Sequence, residues 1–322
     1  MKKKRWLTGM AVVLALFLLP VLTGQNYYLL HIGIMCCIFA ILAMGLNMLQ
    51  GYTGLVSIGQ AGFYALGAYG SGLLAVKLGI SFVVCLLVAI LLTAVVGLLL
   101  GLTTVRLYGG YLALVTIGFG SIVQLLAVNM TGLTGGGEGL LGIPPAAFGS
   151  LVLSTTHYFY LVLAITIVLF LVTVNLVNSK FGRALVAIRE QKIAANMMGI
   201  DVARYRLFAF VIAACFSGIG GCFYTFFAGS LFPDYFNLPQ SVLILIMVTL
   251  GGAGTLYGPI IGAVLVTTGF ELLSALQSYQ MVIYGLGVVL AVMFMPYGLV
   301  GVWQRLMRML SKEGKRIESG AA

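Results

Sequence analysis

The chain has 322 residues, 61% of them hydrophobic and 7% charged, with a mean hydropathy of +1.14. Soluble domains are typically about 45–50% apolar and about a quarter charged, so a water-soluble globular fold is excluded and an all-α, polytopic transmembrane helical bundle is implied. The net charge of +10 does not describe a nucleic-acid surface, because the basic residues cluster at 2–5, 180–206 and 305–316, flanking apolar runs.

In chain order, MKKKRWLTGMAVVLALFLLP has the basic start and apolar run of a signal peptide. With no A-x-A cleavage site and many spans following, it reads as an uncleaved first span over 6–22. A second span covers 28–49, and the glycine-rich stretch 51–72 carries the chain back across to Lys77. Spans at 81–103 and 108–128 precede a polar loop, 129–157, and a further span at 158–177. The basic segment 178–206 interrupts the membrane pattern. Spans at 207–227, 239–250, 260–275 and 281–302 follow, then a charged tail, 303–322. The whole, 1–322, reads as one domain of about ten spans, each needing about 20 apolar residues. Ten spans put both termini on one side together with every one of the 17 Lys and Arg residues except Lys77, which makes that side cytosolic.

Three stretches carry more than lipid-facing helix. In GYTGLVSIGQAGFYALGAYGSG, residues 51–72, Thr53, Ser57, Gln60 and Tyr64 are candidates to line a water-filled translocation path, since irregular backbone at membrane depth needs protein or a cavity to cover it. Equally, the glycines with Ala61 and Ala65 permit close helix packing. In LGGAGTLYGPIIGA, residues 250–263, Gly254, Gly258 and Gly262 recur every four residues and would share one helix face, while Pro259 interrupts a continuous helix. Both stretches start on the inner side of this topology, and paired broken segments point to a transport path. Glu271 is the acid expected at membrane depth, a further path candidate.

The third stretch, residues 181–207, spaces Leu185, Ile188, Ile193, Met197 and Ile200 roughly as on a helix, with Arg183, Arg189, Glu190 and Lys192 between them. Such a segment lies on a membrane surface, docks into a partner's groove, or serves only as an orienting basic loop. The five cysteines, Cys36, Cys37, Cys85, Cys215 and Cys222, sit in apolar runs, and His31 and His157 are far apart, so no metal site is expected. There is no G-x-x-x-x-G-K-[ST] phosphate loop and no catalytic constellation, so the chain is expected to be no enzyme and to draw energy from a partner or an ion gradient.

Residues 179–206 resemble the EAA loop that couples ABC importer permeases to their ATPases, through Ala194, Ala195 and Gly199 in GRALVAIREQKIAANMMGID. Ile193 stands where the loop's name-giving glutamate precedes the alanines. RLYGGYLALVTIGFGSIV, residues 106–123, resembles the membrane-subunit signature of branched-chain amino acid permeases, and of the two paralogues it is more similar to the M-type. GLVSIGQAGFYALGAY (54–69) and LGGAGTLYGP (250–259) are similar to that family's other stretches, so the resemblance covers most of 40–275. The external loop TGGGEGLLGIP departs from the family's usual TGG-Pro-Asn-Gly form.

The resemblance implies a permease subunit of an ATP-driven importer of branched-chain or related hydrophobic amino acids in the bacterial cytoplasmic (inner) membrane. It implies a second homologous permease, two cytosolic ATPase subunits holding ATP and Mg, and an external substrate-binding protein, with no cofactor on this chain. Arg183, Arg189, Glu190, Ala194, Ala195 and Gly199 would couple to the ATPase as one nearly rigid helix over 183–201. Urea, short amides or sugars are alternative cargoes. A secondary transporter, for which Glu271 is the one ion-coupling candidate, is the rival class.

Overall fold

Without water to satisfy them, backbone groups in lipid pair within helices, and the apolar runs of this chain accordingly do so. The computed structural model describes residues 27–104, 107, 109–148, 151–273 and the single positions 285, 298, 299 and 301. The expected span at 6–22, Arg106, most of the span at 281–302 and the tail 303–322 lie outside the described residues. The helices are α1 (Tyr27–Leu46, continued by a π-helical turn over Asn47–Gly51), α2 (Gln60–Leu78), α3 (Phe82–Thr104), α4 (Gly110–Asn129), α5 (Thr155–Asn178), α6 (Lys180–Glu190), α7 (Lys192–Met197), α8 (Val202–Ala228), α9 (Leu238–Gly251) and α10 (Gly258–Leu273). Extended by its π turn, α1 is long and apolar enough to cross a membrane, as are α3, α4, α5 and α8; α9 and α10 are shorter apolar helices.

The centre of the bundle is made by α1 and α8, whose most apolar windows are 67% and 72% buried, against 22% for α3, α4 and α5. Around α8 pack α2, α3 and α1, while α10 lies on α1 and α9. Small residues set these approaches. A Cβ on Gly67 of α2 would stand 2.5 Å from the Gly218 carbonyl oxygen of α8, and one on Gly97 of α3 would stand 2.6 Å from the Ala214 Cβ. Outward, α3 presents Leu87, Leu91, Leu99 and Leu102, a contiguous apolar flank suited to lipid.

The basic helices α6 and α7 gather at one end of the bundle. At the opposite end Lys77 donates to the Gly132 carbonyl at 2.8 Å. There Leu140 and Leu231 exchange two backbone hydrogen bonds of 2.8 and 2.9 Å. The connection read as a plain polar loop also holds a two-stranded antiparallel hairpin, Ala147–Phe148 with Leu151–Val152.

Three expectations are corrected. The segment 183–201 is two helices, broken at Gln191, whose φ of −149° and ψ of 97° are extended. The helix expected at 207 begins at Val202, because the Asp201 side chain accepts the Arg204 amide at 3.1 Å and caps it. Gly254 lies in the turn before α10 with φ of +78°, so only Gly258 and Gly262 share the helix face.

Candidate functional site

The basic segment is braced from both sides. Ser179 caps α6 by accepting the Phe181 amide at 3.1 Å, and Gly182 passes so close to the Val177 carbonyl that a side chain there would collide with it. Ile188, Ala195 and Val202 form a small core that ties α6, α7 and the start of α8 together. α7 ends in a paired turn: the Gly199 amide donates to the Asn196 carbonyl at 3.0 Å and the Ile200 amide to the Ala195 carbonyl at 3.1 Å. Gly199, at φ of +80°, supplies the left-handed residue this ending needs. Of the two neighbouring alanines, Ala195 is buried in that core and Ala194 is exposed.

The apolar positions that looked like one stripe face two ways. Leu185 and Ile188 point into the protein, while Ile193, Met197 and Met198 are 75%, 82% and 84% exposed. The break at Gln191 makes this possible, because it resets the direction of α7 relative to α6. Glu190 is exposed at the end of α6.

Both arginines of α6 reach the carboxyl ends of membrane helices, where carbonyls are left without intrahelical partners and positive charge is favoured. Arg183 donates to the Asn178 carbonyl of α5 at 3.2 Å. Arg189 donates to the Gly51 carbonyl at the end of α1. Beside it, the Asn47 side-chain amide donates to the Thr255 carbonyl at 2.9 Å and its carbonyl accepts the Gly254 amide at 2.8 Å. A side chain on Gly254 would collide with the Arg189 guanidinium. Thus α6, the π turn of α1 and the turn between α9 and α10 converge at one point. Sequence reasoning missed Asn47, a lone asparagine in an apolar run whose partners lie more than 200 residues away.

The four candidate path residues of the first glycine-rich stretch are all covered by the chain itself. Thr53 donates back to the Leu49 carbonyl, and its oxygen accepts the Leu55 amide at 3.3 Å. Gln60 bridges to α8, donating to the Ala213 carbonyl at 3.2 Å and to Ser217 Oγ at 2.5 Å. Tyr64 is packed against the rings of Tyr224 and Phe236. Ser57 is buried, and its hydroxyl has no hydrogen-bond partner among the described residues. A shallow groove between α2, α4 and α9 is lined by Ile58, Ile117, Ser121, Asn237 and Ser241.

In α10, Gly262 sits against the Met247 carbonyl and Gly258 against the Gly252 carbonyl, so α9 and α10 touch backbone to backbone. Pro259 occupies the first turn of α10, where a missing amide costs no hydrogen bond. Glu271 is half-buried near the last described turn. Among the described residues no group of His, Cys, Asp and Glu could hold a metal ion, and the five cysteines are free.

Residues 28–295 match the family of branched-chain amino acid transport system permease components. The chain belongs to that family. The permease is 34% identical to the high-affinity branched-chain amino acid transport system permease protein LivM of Salmonella typhimurium, over 98% of this chain and 79% of that one. It is 35% identical to LivM of Escherichia coli K12, over 93% of this chain and 75% of the other. The probable branched-chain amino acid transport permease protein LivH of Methanocaldococcus jannaschii is 26% identical over 85% of this chain and 92% of its own. The two enterobacterial LivM proteins are thus higher in identity to this chain, and over more of it, than that LivH. No solved structure matches the permease. Its family makes it a multi-pass transport component of a branched-chain amino acid system, not an enzyme.

Proposed function

We propose that the permease forms, with a second homologous permease, the membrane path of an ATP-driven importer for branched-chain or related hydrophobic amino acids. Two cytosolic ATPase subunits, carrying ATP and Mg, dock on α6 and α7, and an external binding protein delivers the substrate at the Lys77 end. The observation that carries this reading is the braced α7 with Ile193, Met197 and Met198 exposed at its tip. Buried apolar anchors dominate protein interfaces, and this tip fits a groove on a partner. Arg183, Arg189, Glu190, Ala194, Ala195 and Gly199 hold or flank it. The full chain, 1–322, forms one domain of about ten spans in the bacterial inner membrane with both termini cytosolic, in keeping with the bias of basic residues.

In this reading α2 and the segment 52–59 that leads into it are one wall of the path. Thr53, Ser57, Gln60 and Tyr64 shape that wall from within the subunit, and Glu271 lies towards its outer end. Gly254, Gly258, Pro259 and Gly262 let α9 and α10 break and repack beside it.

Co-purification of the tagged permease from its native membrane tests the proposal. Recovery of a second permease and ATPase subunits, lost in the double variant I193D/M197D while the permease itself stays folded, is the expected result. Recovery of the permease alone, with gradient-driven uptake after reconstitution, would replace it with a secondary transporter.

A further inference from the structure

The basic segment touches the membrane helices at few polar points, and one of them is unlike the rest. Arg183 caps the helix it directly follows, so that contact is local in sequence. Arg189 instead reaches back 138 residues to the Gly51 carbonyl, at the π turn that ends α1. That same turn carries Asn47, which holds both a donor and an acceptor of the α9–α10 turn across 208 and 207 residues. Gly51 and Gly254 are glycines where the cluster is tightest: a side chain on Gly51 would collide with the Asn47 carboxamide and the Gly254 amide, and one on Gly254 with Arg189. Each of the two turns is a point where a helix departs from α geometry, and such points absorb backbone rotation more readily than a regular helix.

We infer that Arg189 and Asn47 form a relay that makes the two discontinuities move together when α6 moves. Arg189 is a positioning residue: it pulls on the Gly51 carbonyl, and Asn47 passes the displacement to the turn ahead of α10. The inference rests on the proposed coupling to ATPase subunits and adds the route by which movement of the segment enters the membrane. Asn47 separates a relay from a docking contact, because it is 1% exposed and no cytosolic subunit can touch it.

The test uses the complete transporter in proteoliposomes, with uptake and ATP hydrolysis measured in the same vesicles and assembly checked by co-purification. N47A should assemble with the ATPases and hydrolyse ATP while amino acid taken up per ATP falls roughly tenfold, the scale of its two neutral hydrogen bonds to the α9–α10 turn, and in R189A uptake per ATP should fall to the same extent. The double variant should be no worse than either single one, because both interrupt the same route. Normal uptake per ATP in N47A would overturn the relay. So would an R189A permease that no longer binds the ATPases while N47A is normal, since Arg189 would then be a docking residue and the proposed coupling would stand without it. Failure of the unaltered permease to recover any ATPase is the separate result that removes the coupling itself.

Discussion

Gly67 and Gly218 meet backbone to backbone, with room for no side chain between α2 and α8: a Cβ on Gly67 would lie 2.5 Å from the Gly218 carbonyl oxygen and 2.6 Å from its Cα. The obstacle is main chain, which cannot swing aside as a rotamer can. G67A should therefore lower unfolding stability in detergent by about 1–3 kcal/mol. G118A on the open face of α4, where a Cβ would meet nothing within 4 Å, should be neutral or stabilising by up to about 1 kcal/mol. Thermal unfolding of the two variants beside the parent permease checks both signs.

Gln60 separates a packing role from direct contact with the substrate. Its amide is buried and bonded to Ala213 and Ser217. Q60A removes these bonds and leaves a void, so stability should fall by about 1–3 kcal/mol. Measured per folded transporter, the KM for uptake should be unchanged. A raised KM at unaltered stability would make Gln60 a surface of the path.

Gly199 ends α7 at φ of +80°, a conformation that costs other residues roughly 1–2 kcal/mol. G199V should loosen the turn and expose the Ile188–Ala195–Val202 core beneath it. Limited proteolysis in inside-out vesicles, which expose the cytosolic side, should then cut near 198–201 in G199V faster than in the parent.

Sidedness is directly measurable. Lys77 and Met197 lie at opposite ends of the bundle, and Met197 is 82% exposed. A membrane-impermeant thiol reagent should label K77C in intact cells and M197C only in inside-out vesicles. Cys36, Cys37, Cys85 and Cys222 are buried, so the experiment is run in a C215S background, which removes the one half-buried cysteine. Labelling of both from the same side would refute the orientation.

The peripheral helices were the most legible part of the sequence. α3, α4 and α5 face the lipid on one side, and their long apolar runs mark their limits to within about three residues. What lay hidden was decided by contacts distant in sequence or by single backbone angles. The charges of Arg204 and Arg206 masked the first turn of α8, which extends beyond the apolar run on an Asp201 cap. The i, i+4 spacing of Gly254 and Gly258 suggested one continuous face, yet φ at Gly254 is positive and the helix has not begun. The apolar spacing of residues 185–200 could not disclose the break at Gln191, so the outward turn of Ile193 and Met197 was invisible. Asn47 had no local signal, since its role is written in a turn on the far side of the chain.

The placement of α2 bears on how the protein is made. At 19 residues it is long enough to cross a bilayer, but its glycines and polar groups leave it short of the hydropathy that marks the five apolar spans. Its surroundings come from protein: Gln60 is satisfied by Ser217, which the ribosome adds 157 residues later. During synthesis α2 can pack on α3 and α4, but its largest contact and the partners of Gln60 are missing until α8 emerges. A nascent chain stopped before Val202 should leave residues 60–78 covered on one side only, by α3 and α4, and more open to quality-control proteases than in the finished protein, and completion of α8 is the step that secures the first half of the molecule.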